Sequence, residues 1–188
     1  MLPSVILNAL LILLNLLCTV IGLRRAPASK LFRYFTTLSN LLCAAAAAAV
    51  LCCYALGELP LWVIVFKYAG TCAVTVTMLT VLLYLLPASG DWRLVLYGTD
   101  MILHVICPLM AIASFLFFEK TDMPAWVMAP GVAPVMLYAV LYCRKVVFAP
   151  EARRWEDFYG FNYKGKWPIS CAAMTVLAGL TAFALWKI

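Results

Sequence analysis

The chain has 188 residues, of which 66% are hydrophobic and only 12% charged, and its mean hydropathy is +1.01. A soluble domain of this length has no use for so much apolar surface, so the composition excludes one and points to a polytopic membrane protein. The net charge of +6 does not read as nucleic-acid binding, because the basic residues sit in short connecting segments where anionic headgroups are the natural counter-charge.

Each apolar run approaches or exceeds the ~20 residues that cross a hydrocarbon core of about 30 Å. In chain order they predict helices over 2–23, 33–56, 61–87, 94–118, 125–148 and 167–187. The expected fold is therefore all-α, a six-transmembrane-helix bundle forming one domain over 1–188. The separating segments "RRAPASK", "GELP", "PASGDWR", "EKTDMP" and "APEARRWEDFYGFNYKGK" are rich in helix breakers and charge. The first run lacks a basic leader and is too long for a signal-peptide core, so it reads as a membrane helix. On the second, "CAAAAAAVLCC" offers the small residues that let helices approach closely in lipid. Lysine and arginine concentrate in the first, third and fifth loops, which the positive-inside rule places in the cytoplasm with both termini outside. The host membrane is expected to be a bacterial inner membrane or a eukaryotic endomembrane.

Polar side chains within these runs are expensive and tend to face the bundle interior or a water-filled cavity. The first run carries Asn8, Asn15 and Thr19, and the second Thr36, Thr37, Ser39 and Asn40. The third carries Lys67, Thr71, Thr75, Thr77 and Thr80, and the fourth Thr99, Asp100 and His104, the only histidine. Asp100 and His104 are spaced i, i+4 and share a helix face. A carboxylate beside an imidazole orients it and stabilises its protonated form, which makes His104 a candidate general base. Thr36 and Asn40 share a face in the same way, offering a hydroxyl nucleophile and an amide oxyanion donor. Pro108 removes the hydrogen bond to the His104 carbonyl, which either opens space beside the ring or simply shapes the helix.

Each of these residues also has a structural reading. Threonines in membrane helices satisfy backbone carbonyls or bond across helices. Lys67 either snorkels to the interface, reaches Asp100, or binds an anionic substrate group. The eight cysteines fall almost entirely in apolar runs, where they act as small hydrophobes; none has zinc-ligand spacing, and one histidine gives no bis-imidazole haem site. Neither metal nor cofactor is expected.

Two stretches resemble elements of a known family. "RYFTTLSNLL" is similar to the "K-F-L-T-F" element of the androgen-induced family of integral-membrane threonine hydrolases. "DMILHVICPLM" resembles that family's histidine-bearing helix, with a polar residue four before the histidine and a proline after it. A related group of bacterial six-helix proteins is closer still, sharing "FT-x-x-SNLL", a third helix like "TVTMLTVLLYLLP" and "LH-x-x-x-P". The resemblance covers about the first two-thirds of the chain. It implies hydrolysis of fatty-acid esters of hydroxy fatty acids, with Thr36 as nucleophile and His104 as base. Asp100 departs from the family's asparagine-like residue, and "WEDFYGFN" matches its aromatic, proline-rich segment only loosely.

Counted from Arg33 and Arg93, His104 lies roughly 12 Å deeper than Thr36 at 1.5 Å per residue. Helix tilt or offset closes that gap; otherwise Thr37 or Ser39 is the better-placed hydroxyl. The expected function is an intramembrane lipid esterase acting on a fatty-acyl ester. Its catalytic residues are Thr36, His104 and Asp100, with Asn40, Thr37, Ser39 and Lys67 at the oxyanion or substrate and Arg33, Arg153 and Arg154 at a carboxylate or headgroup. Two alternatives remain: a small proton-coupled carrier built on Asp100, His104 and Lys67, and a non-catalytic lipid-binding scaffold. The sequence leaves the oligomeric state open.

Overall fold

The computed structural model describes residues 2–93 and 97–188. Among the described residues, six helices are long and apolar enough to cross a membrane: α1 (Leu2–Arg25), α2 (Phe35–Leu56), α3 (Leu61–Ser89), α4 (Thr99–Glu119), α5 (Ala125–Val147) and α6 (Trp167–Lys187). They make up an all-helical bundle, the architecture of a multi-pass membrane protein. The predicted span 167–187 coincides with α6, and those for α1, α2, α3 and α5 differ by one or two residues at one end. The fourth differs in a way that matters: its expected start at residue 94 lies outside the described residues, and α4 begins at Thr99. Gly98, at φ 62°, turns the chain into the helix in a conformation that disfavours any residue with a Cβ.

α3 is the central helix. Of its most apolar stretch 61% is buried, against 22–39% in the other five. It packs on α2, α4, α5 and α6, while α1 lies against α2 and α4. Small residues set these approaches. A Cβ on Gly70 of α3 would lie 3.1 Å from the Cys43 backbone of α2, and one on Gly131 of α5 would lie 2.6 Å from the Tyr68 ring. The alanine-rich face of α2 therefore does what its composition predicts: Cys43, Ala46, Ala47 and Val50 are all buried at helical spacing.

Each of α3, α4 and α5 departs locally from α-helical geometry through π turns. Two of these turns end just before a proline. In α4 the turn covers Ile102–Ile106, and the Cys107 N–H bonds the Ile102 carbonyl five residues back. Pro108, next in line, has no N–H to give the Leu103 carbonyl. That carbonyl is satisfied from outside the helix, and the donor helps define the candidate site.

Candidate active site

The missing donor for Leu103 is Asn40 of α2. Its amide nitrogen bonds the Leu103 carbonyl at 3.1 Å and the Thr36 carbonyl at 2.9 Å. Two carbonyl acceptors fix the amide orientation and spend both its N–H groups. Asn40 thus pins the first turn of α2 to the π turn of α4, and holds Thr36 opposite His104.

The Thr36 hydroxyl lies 3.3 Å from His104 Nε2. Both residues are partly buried, and the separation is the slightly loose contact expected of a nucleophile and base before substrate arrives. The apparent difference in depth falls by half once α4 is counted from Thr99. His104 is then five residues into its helix and Thr36 one residue into its own, an offset of about 6 Å. Arg93, six residues before Thr99, is a misleading origin for that count.

The neighbouring hydroxyls are placed differently. Ser39 is buried and bonds the Thr36 carbonyl at 3.1 Å and the Thr77 hydroxyl at 2.8 Å, tying α2 to α3. Thr37 is buried on another face of α2. Asp100, one helical turn before His104, is exposed. Thr71, Thr75, Thr77 and Thr80 each bond the carbonyl four residues back, the structural role read for membrane threonines.

Lys67 is not brought to this site. It lies ten residues before Thr77 on α3, about 15 Å along the axis. There it bonds the Asn8 side-chain oxygen and faces Glu119 at 3.6 Å, both charges fully buried. Ser4 and Ser114 donate to the same carboxylate at 2.7 Å and 2.6 Å. A buried ammonium needs a buried counter-charge, so Lys67 neither snorkels nor reaches Asp100. Sequence reasoning placed Glu119 in a polar breaker and missed its role; a lone lysine deep in an apolar helix was the signal that a partner had to exist.

Thr36 also faces an apolar cavity of about 660 Å³, counted with its mouth, between α2, α3, α5 and α6. Val81, Val135 and Met174 form part of its wall. A shallower groove shares Thr80, Phe161, Ser170 and Met174 with it and continues between α3 and α6 past Leu83 and Leu177. The segment 148–166 folds back over the end of the cavity. Its anchor is Trp155, whose ring lies under the Arg33 guanidinium at 5.3 Å and the Lys145 ammonium at 5.9 Å. Phe158, Tyr159 and Phe161 then pack on Tyr34, Tyr84, Tyr138 and Tyr142. Tyr142 donates to Asp157 and Tyr138 to the Arg33 carbonyl. Of the residues expected to meet a headgroup, Arg33 stacks on Trp155, Arg154 bonds the Ala149 carbonyl and Arg153 is exposed.

Tyr159 is the residue the sequence did not single out. Its hydroxyl accepts the Phe35 N–H at 2.9 Å, next to Thr36, and it lines the same cavity. Burial pushes its phenol up to about 12, while the N–H groups of Phe35 and Thr36 and the hydroxyls of Tyr138 and Thr36 pull the other way. The first N–H groups of a helix have no intrahelical partner, which is why this phenol is held there. No family model, no curated protein and no solved structure matches the chain.

Proposed function

We propose that the protein is an intramembrane lipid ester hydrolase using Thr36 as nucleophile and His104 as general base. The observation that carries this reading is the 3.3 Å contact between the Thr36 hydroxyl and His104 Nε2, at the wall of a cavity lined by apolar side chains. Nothing about bundle packing requires the sole histidine to meet a threonine from another helix. The resemblance of "FTTLSNLL" and "LHVICP" to the androgen-induced threonine hydrolases names the same two residues independently of the geometry.

In this reading a lipid ester enters laterally along the groove between α3 and α6, and its acyl chain fills the cavity. The Thr36 hydroxyl oxygen attacks the ester carbonyl carbon as its proton passes to His104 Nε2. Collapse of the tetrahedral intermediate breaks the bond to the alkoxy oxygen, and the imidazolium returns the proton to the departing alcohol. Water, deprotonated by His104, then hydrolyses the acyl-threonine, releasing the fatty acid and restoring Thr36. Apolar walls keep bulk water away and strengthen the electrostatic interactions of each step. Fatty-acid esters of hydroxy fatty acids fit the cavity's apolar lining, and Arg153 and Lys164, exposed on the segment 148–166, would suit a free carboxylate on such a substrate. In this reading the end of the bundle that carries the basic loops faces the cytoplasm, as the positive-inside rule predicts.

The test is hydrolysis of a fatty-acid ester of a hydroxy fatty acid by detergent-purified protein. Wild type turns over; Thr36→Ala and His104→Ala fold but do not, while Thr37→Ala keeps activity. Equal turnover by wild type and Thr36→Ala would remove the nucleophile assignment.

A further inference from the structure

An ester hydrolase needs donors aimed at the oxygen that becomes negative, and such groups are often worth 10²–10³ in rate. Asn40 does not fill that role in this structure, because both its N–H groups are held by the carbonyls of Thr36 and Leu103. The place is not left without a donor. Tyr159 reaches the first turn of α2 from the folded-back segment, with Phe35 N–H on its oxygen at 2.9 Å and the cavity in front of it.

The two tyrosines at this spot differ in where their protons go. Tyr138 gives its proton to the Arg33 carbonyl at 2.6 Å. Among the described residues Tyr159 gives its proton to no backbone carbonyl; its oxygen accepts from Phe35, and its other neighbours are the Thr36 and Tyr138 hydroxyls, partners that a substrate carbonyl beside Thr36 can replace. Accepting an N–H polarises a phenol and makes it the stronger donor. Its surroundings are also matched to negative charge: the N–H groups of Phe35 and Thr36 at the positive end of α2 both act on this oxygen. Burial nevertheless keeps the phenol neutral at working pH, as a donor must be.

We propose that Tyr159 is a catalytic residue, whose hydroxyl donates a hydrogen bond to the carbonyl oxygen of an ester under attack by Thr36. It supplies the oxyanion stabilisation that the α2 amide cannot, and makes the segment 148–166 part of the active site as well as its cover. When Thr36 adds to the carbonyl carbon, the carbonyl π pair moves onto oxygen and the Tyr159 O–H bond points to it without transferring its proton. On collapse that pair re-forms the carbonyl and the hydrogen bond relaxes. This inference rests on the Thr36–His104 reading, and the experiment separates the two.

Acylation is followed with p-nitrophenyl palmitate, whose first turnover releases p-nitrophenolate in a burst. Wild type gives a burst that Thr36→Ala lacks. Tyr159→Phe, which keeps the ring and its packing, gives a burst of full amplitude whose rate is lower by 10- to 100-fold, with KM within threefold. A trifluoromethyl ketone, which becomes an oxyanion when Thr36 adds to it, binds the variant at least tenfold more weakly, while palmitate binds equally. If Tyr159→Phe does not fold, 3,5-difluorotyrosine at position 159 keeps the hydrogen bonds and sharpens the donor, so acylation speeds up severalfold. A wild-type chain with no burst overturns the hydrolase reading. A wild-type burst with unchanged acylation and unchanged ketone affinity in the Tyr159→Phe protein overturns the Tyr159 assignment alone, and for the fluorinated protein an unchanged rate does so.

Discussion

Two polar clusters lie at opposite ends of this bundle, and they solve the cost of burial in opposite ways. At the end shared by the start of α1 and the end of α4, Lys67 and Glu119 are sealed at 0% exposure. Asn8, Ser4 and Ser114 surround them with donors and acceptors. Such a cluster has its charges matched and its hydroxyls occupied, and neither the cavity beside Thr36 nor the groove between α3 and α6 borders it. At the other end Thr36 and His104 meet at a longer distance, partly buried, beside an apolar cavity and the Tyr159 phenol. The first arrangement holds three helices together. The second leaves hydrogen-bonding capacity pointed at a space, which is what a reaction needs and what a structural cluster avoids.

The sharpest way to break that comparison is to remove each pair and compare activity with stability. Thr36→Ala or His104→Ala is expected to lower ester turnover by about 10⁴-fold, close to 5 kcal/mol of transition-state stabilisation, with thermal unfolding in detergent little changed. Glu119→Ala is expected to do the reverse. It strands the buried Lys67 ammonium, and unfolding should register a loss of about 3–5 kcal/mol while turnover per folded molecule stays within a few-fold. The double variant Lys67→Met with Glu119→Gln should be more stable than the sum of the single changes, since the uncompensated charge is gone. A large turnover defect in folded Glu119→Ala protein would mean that the two ends are one functional unit.

Asn40 sits between these extremes. Asn40→Leu leaves the Leu103 carbonyl without a donor, at a cost of about 1–3 kcal/mol, and it also frees α4 to drift from Thr36. It should therefore lower both stability and kcat, unlike either cluster. Activity is also expected to fall with acid, because His104 accepts a proton only as the neutral imidazole. Tyr159, at about 12, stays neutral across that range and adds no second limb below pH 9. A pH profile of kcat/KM checks both statements. The smallest effect is predicted for Arg153→Ala: exposed and unpaired with any ring, it should change stability by less than about 0.5 kcal/mol.

Much of this was readable before the fold was known, for definable reasons. The six helices follow from run length and breakers, since in lipid an apolar stretch of the right length has few other structures open to it. The Thr36–His104 pairing followed from motifs on separate helices, although the count from Arg93 argued against it. That count failed because a basic residue marks an interface only if the helix starts beside it, and here Gly98 restarts the chain. Asn40 was expected at the oxyanion or substrate, but its amide instead bonds the Thr36 carbonyl and a carbonyl orphaned by a proline five residues further along another helix. Glu119 and Tyr159 were hidden for a different reason. One reads as the end of a helix and the other as part of a polar loop, and only tertiary folding carries them to Lys67 and to the first turn of α2.

The identity of the hydroxyl that becomes acylated decides between Thr36 and its neighbours most directly. Purified protein treated with an alkyl fluorophosphonate, digested and mapped by mass spectrometry, is predicted to carry the adduct on Thr36, with labelling lost in His104→Ala. An adduct on Thr37 or Ser39, or labelling of Thr36 that persists at the same rate without His104, would contradict the site described above.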